Sequence, residues 1–154
     1  MKKQMLLLLS LVVLGCKSTM SDQTTAKSEL NTALDVWHKA AAKADASTYF
    51  GMMTDDAIYI GTDATENWDK KAFEAFVKPY FDKGKAWSFT PLERHIFVSK
   101  DGKTAWFDEL LNTQMKICRG SGVLVKEGKA WNALIDGISG GFAVLLTVRN
   151  IVVP

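Results

Sequence analysis

Residues 45–60, DASTYFGMMTDDAIYI, carry three structural signals in one short run. Asp45 stands where a short carboxylate accepts from the free amides of a first helical turn. Tyr49, Phe50, Met52 and Met53 follow as an apolar cluster, which predicts a short helix opening at that cap. Thr54-Asp55-Asp56 breaks it, and residues 57–60 read as a strand ahead of a polar loop over 61–68.

On the N-terminal side, Leu30, Leu34, Trp37, Ala41 and Ala44 recur at steps of three and four, while Lys27, Asp35, Lys39 and Lys43 lie off that stripe. This spacing predicts an amphipathic helix over about 25–44. On the C-terminal side a third helix is predicted over about 69–81, capped by Asp69, with Phe73, Phe76, Val77 and Tyr80 as its buried stripe. Pro79 bends or ends it by removing a hydrogen bond. From residue 86 the pattern changes to strands, over 86–98, 104–113 and 117–125, with a tail segment from about 142. Asp101-Gly102 and Glu127-Gly128 are the turn signals. Helices segregated from a run of strands make an α+β domain, in which a curved antiparallel sheet packed on about three N-terminal helices encloses a pocket.

The first residues read differently. Lys2 and Lys3 precede the apolar run MLLLLSLVVL at 5–14, which is short of the roughly 20 residues of a membrane span but fits the roughly 7–15 of a signal-peptide core. The ending Val13-Leu14-Gly15-Cys16 resembles the bacterial lipobox. It predicts a lipoprotein signal peptide over 1–15, lipidation of Cys16 and a polar tether over 16–24. The domain then spans 25–154, and the expected location is the bacterial cell envelope, with the lipid on Cys16 holding the chain to a membrane facing the periplasm or exterior.

Removing 15 of 154 residues leaves one domain with room for a core. It also removes Lys2 and Lys3, which account for the formal net charge of +2. No sequence-independent attraction to nucleic acid follows, and none is expected as a partner. With Cys16 lipidated, Cys118 has no partner in the chain and is expected as a small buried apolar residue.

The order helix, turn, helix, Asp-Asp, strand, with Trp37, Asp45 and Asp55-Asp56-Ala57 at its landmarks, resembles the nuclear transport factor 2-like superfamily. Within it, 56–68 (DAIYIGTDATENW), 79–87 (PYFDKGKAW), 101–110 (DGKTAWFDEL) and 119–125 (RGSGVLV) are similar to the SnoaL-like branch. The resemblance implies a cone-shaped α+β barrel with a cavity between helices and sheet, and no shared cofactor. It also implies functions from polyketide cyclase, ketosteroid isomerase and epoxide hydrolase to non-catalytic binding or dimerisation modules, so a homodimer through the sheet is an open expectation. Carried over by position, the isomerase's oxyanion-stabilising tyrosine falls on Trp37, its general-base aspartate on Gly61, and its second oxyanion donor near Ser121. Glycine abstracts no proton, and that mechanism is not expected here.

Other residues are candidates for chemistry. Glu66 beside Trp68 places an acid against an aromatic wall. Asp108 and Glu109 are adjacent in a strand, so one of them enters the cavity and parity alone does not say which. Arg119, in Arg119-Gly120-Ser121-Gly122, is the expected cationic partner of Asp108, Glu109 or Glu66 inside the cone. The catalytic candidates are therefore Glu66, Asp108, Glu109 and Arg119; the ligand-binding candidates are Trp37, Tyr59, Trp68 and Ser121. His38 reads as a surface residue. His38 and His95, the chain's two histidines, lie in no metal-binding spacing, and no metal is expected.

Residues 132–154, NALIDGISGGFAVLLTVRNIVVP, look atypical for the family. Gly137, Gly140 and Gly141 interrupt the place of a closing strand, which leaves a strand over 142–148 or a frame-shifted end as the readings. The functional expectation is a lipid-anchored cone that binds a small, partly apolar ligand. The alternative is a cofactor-independent acid–base enzyme, of isomerase, cyclase or hydrolase type, on a small organic substrate.

Overall fold

A computed structural model describes residues 2–84 and 86–140, with side chains from 22 onward as far as 137. Three helices, α1 (Lys2–Ala42), α2 (Ala46–Gly51) and α3 (Lys70–Phe81), pack on six strands: β1 (Met53–Ile60), β2 (Asn67–Asp69), β3 (Phe89–Val98), β4 (Thr104–Thr113), β5 (Lys116–Glu127) and β6 (Ala130–Gly140). The strands form one curved sheet in the order β2-β1-β6-β5-β4-β3. Every pair is antiparallel except β1 with β6. The sheet is open, with β2 and β3 at its edges. This is the α+β cone expected from the sequence, with one parallel pair inside it.

The helix boundaries follow from local chemistry. Ala26, Leu30, Leu34, Trp37 and Ala41 form the buried stripe of α1. The helix ends in a Schellman arrangement: Asp45 N–H donates to Ala40 O at 2.9 Å and Ala44 N–H to Ala41 O at 3.1 Å. Ala44 holds the left-handed position, with φ 53°. Asp45 then caps α2 by accepting from the Thr48 N–H at 3.1 Å and the Thr48 hydroxyl at 2.7 Å. Asp69 caps α3 through Ala72 N–H at 2.7 Å. The segment read as signal and tether lies in the backbone of α1, whose sequence has no proline to stop a helix. Among the described residues, no helix is long and apolar enough to cross a membrane.

The C-terminal expectation is corrected. Residues 130–140 form β6, which lies inside the sheet, hydrogen-bonded to β5 on one side and β1 on the other. Gly137 serves packing rather than turning: a Cβ there would come within 2.9 Å of Ile60 O on β1. The proposed strand over 142–148 lies outside the described residues.

Alternation along the strands sorts side chains into two sets. Ala105, Phe107, Glu109 and Leu111 of β4, with Cys118, Gly120, Gly122 and Leu124 of β5, face the helices and are buried. Trp106, Asp108, Arg119 and Ser121 face outward. The core between sheet and helices joins the α1 stripe to Tyr49, Phe50, Phe73, Val77 and Phe81.

Candidate functional site

The inner set of β4 and β6 brings ionisable groups into the cone. Glu109 is 1% exposed. One oxygen, Oε1, lies 2.7 Å from His38 Nε2, and the other, Oε2, accepts from Arg94 Nε at 2.8 Å. Arg94 continues the network by donating from Nη1 to Asp35 Oδ1 at 2.9 Å and to Asn31 O at 3.2 Å. Its buried Nη2 has no hydrogen-bond partner among the described residues. An acid this deep is tolerable because the Arg94 guanidinium donates to one oxygen and the His38 ring meets the other.

Asp136 of β6 is the second inner acid. Burial, and after it the Glu109 charge, push its carboxyl up to about 7, against a smaller opposing effect of a backbone hydrogen bond from Gly137. His38, Glu109 and Asp136 surround a void of about 10 Å³, about the room of a single water. Trp37 and Gly120 also line it.

In front of this cluster lies a larger, half-open cleft of about 200 Å³. Its wall is a ladder of rings. Tyr59 stacks on Phe73 at 3.8 Å between centroids, Trp68 on Phe76 at 4.6 Å, and Tyr80 meets Trp87 at 5.0 Å. Tyr49 and Phe89 line both spaces and stand between them. Burial raises the phenols of Tyr49 and Tyr59, and the neighbouring Asp136 charge adds to both.

Glu66 is the one charged residue lining the cleft among the described residues. The loop sets its position: Gly61 N–H donates to Glu66 O at 2.8 Å, and Glu66 Oε2 accepts from Asp63 N–H at 3.1 Å. The carboxylate folds over Gly61, where a side chain would collide with it.

Of the sequence candidates, Glu66, Tyr59 and Trp68 meet at the cleft. Glu109 enters the cone behind it. The other four, Asp108, Arg119, Ser121 and Trp37, do not reach the cleft. Arg119 does not enter the cone: it donates from Nη1 to Asp108 Oδ1 at 2.8 Å on the outer face, because both side chains fall on the outward parity of their paired strands. Ser121, opposite Asp108 in register, shares that face. Trp37 is a core residue, 2% exposed, whose indole N–H is already spent on Tyr49 O at 2.9 Å. The expectation for His38 is also corrected, since its ring is largely buried against Glu109. Sequence reasoning missed Asp136 and Arg94 outright. Among the described residues, no group of three or more His, Cys, Asp or Glu side chains is arranged to hold a metal ion.

An open, curved sheet wrapped on three helices, with a cavity in the concave side, defines the nuclear transport factor 2-like (NTF2-like) class. The chain belongs to the SnoaL-like domain family within it, whose sequence model matches residues 30–139. Solved structures agree on the fold. An NTF2-like protein of unknown function from Pseudomonas putida KT2440 superposes with TM-score 0.67 at 16% identity, over 78% of this chain and 89% of that one. An NTF2-like family protein from Streptomyces avermitilis, described as a proposed dehydratase, gives 0.67 at 12% identity over 79% and 99%. A proposed scytalone dehydratase from Novosphingobium aromaticivorans DSM 12444 gives 0.67 at 8% over 77% and 86%. No curated protein matches the chain.

Proposed function

We propose that this SnoaL-like domain is a binding module that holds a small, partly apolar organic molecule in the ring-lined cleft. The observation that carries this reading is the cleft's composition: about 200 Å³ walled by aromatic side chains, with Glu66 as its single charged group among the described residues. Pockets of this kind gain affinity from apolar burial and take orientation from a few polar groups. The inner acids lie behind Tyr49 and Phe89 rather than in the cleft wall, which favours binding over turnover. Titrating an isotopically labelled domain with indole and phenol, followed through the indole N–H signals of Trp68 and Trp87, tests it. Saturable shifts at both are expected, and their absence at millimolar fragment rejects it.

A specific observation supports the second reading, acid–base catalysis without a cofactor. Asp136 titrates near neutrality beside His38 and Glu109, which suits a proton-transfer group. The dehydratase descriptions of two structural neighbours fit such chemistry. In that reading the proton-handling groups are His38, Glu109 and Asp136, and the Asp108–Arg119 pair takes no part.

The same proposal includes lipid attachment at Cys16 and residence in the bacterial cell envelope, on the strength of Lys2-Lys3, the apolar run and the Val13–Cys16 ending. Processing there removes residues 1–15 and leaves a polar segment ahead of the buried stripe that begins at Ala26. Metabolic labelling with a palmitate analogue should mark the wild type and not Cys16→Ser; equal labelling of both refutes the anchor.

A further inference from the structure

The charge balance around the cleft narrows the class of ligand. Among the described residues its lining includes no lysine, arginine or histidine, Lys83 Nζ standing 6.0 Å from the Tyr80 centroid outside that lining, and Glu66 supplies the lining's only formal charge. Behind Tyr49 and Phe89 stand two more acids, Glu109 and Asp136. The Arg94 guanidinium is already directed at Glu109, as is the His38 ring. Aromatic faces are electron-rich, so a ring wall that repels nothing apolar still discriminates by charge, attracting cations and disfavouring anions. Burial is the main cause that raises the Tyr49 and Tyr59 phenols, and the Asp136 carboxylate adds to both in the same direction.

Glu66 is also held in place. A carboxylate free to swing into solvent loses most of its worth as an ion-pair partner. Here the Asp63 N–H engages Oε2, and the missing side chain of Gly61 makes the space the carboxyl group occupies. The acid is thereby fixed at the rim where Tyr59 and Trp68 begin the ladder.

We propose that the cleft takes a small organic cation, an alkylated ammonium on an apolar frame, with its charge toward the Glu66 carboxylate and its methyl groups against Trp68, Phe76 and Trp87. This rests on reading the cleft as a ligand site and adds the ligand's charge.

The test compares choline with 3,3-dimethylbutan-1-ol, which has the same shape with carbon in place of the charged nitrogen. Both are titrated into the full domain at low salt and followed through the Trp68 and Trp87 indole N–H signals. Choline is expected to bind at least about fivefold more tightly than the alcohol. Glu66→Gln, which still accepts from Asp63 N–H, should remove at least about threefold of the choline affinity and leave the alcohol unchanged. A ratio below fivefold, with both compounds shifting the indoles, overturns the cation and leaves an apolar ligand site standing. No shift from either compound overturns the cation, and the indole and phenol titration then decides separately whether the cleft is a ligand site. Equal choline affinity in wild type and Glu66→Gln overturns the role given to the carboxylate.

Discussion

At Asp136 a carboxyl group is buried among rings within reach of the Glu109 charge, and the folded state holds its proton up to about 7 against an ordinary 3.8. Between those values the folded protein binds more protons than the unfolded chain. Stability therefore falls as pH rises from about 4 to about 7, and levels off above. Asp136→Asn removes the charge that has to be buried. The variant is expected to exceed the wild type by more than about 1 kcal/mol at pH 8 and to match it closely at pH 4, by urea denaturation at both. An unchanged pH slope in the variant would show that Asp136 is not the group responsible. Arg94 is the opposite case, a cation whose loss leaves the buried Glu109 with one donor fewer. Arg94→Ala should cost about 3–5 kcal/mol, read from the same denaturation curves. A cost below about 1 kcal/mol would mean that the Arg94–Glu109 contact does not hold this part of the fold together. At this scale the sequence was legible only in part. Asp108 and Glu109 were recognisable as a pair needing opposite faces, but which faces inward depends on register with β5. That register sets Glu109 opposite Gly120 and Asp108 opposite Ser121. The His38–Glu109 contact joins residues 71 positions apart, and no local pattern announces it.

Among the elements, those governed by local chemistry were readable. Asp45 and Asp69 cap the helices they were expected to cap, Asp101-Gly102 falls between β3 and β4, and Glu127 ends β5 with Gly128 in the turn to β6; Gly102 has φ 70° and Gly128 φ 63°. β6 was not readable, because its glycines resemble breaks when the partner strands are unknown. In the sheet Gly137 is a site of close approach. The same holds at Gly122, where a methyl group would meet Ile135 O and the Phe107 ring, each at 2.7 Å. Gly122→Ala is expected to destabilise the domain by about 1–3 kcal/mol in thermal or chemical denaturation. Neutral behaviour would place the β5–β6 contact further apart than described. Ala44, left-handed at the end of α1, gives the reverse prediction: Ala44→Gly relieves the strain of a Cβ in that region and should stabilise by about 0.5–1 kcal/mol.

For the whole molecule, the curved sheet divides the polar groups into two populations with different roles. The outer face carries the Asp108–Arg119 pair with His95, and around it the exposed apolar groups Phe97, Trp106 and Ile117. A second copy of the chain is the proposed occupant of that face. Trp106→Glu, which removes a ring stacked on Phe97 at 5.8 Å, should convert a dimer to a monomer in light scattering; a monomeric wild type refutes it. The concave side holds the cleft, and the claim that it is a ligand site is the one on which the functional reading turns. Native mass spectrometry of the protein purified from its own cells, beside a Trp68→Ala variant prepared identically, tests that claim most directly. The account predicts a small organic molecule retained by the wild type and lost from the variant. A wild type that retains nothing, or a molecule retained equally by both, would contradict it.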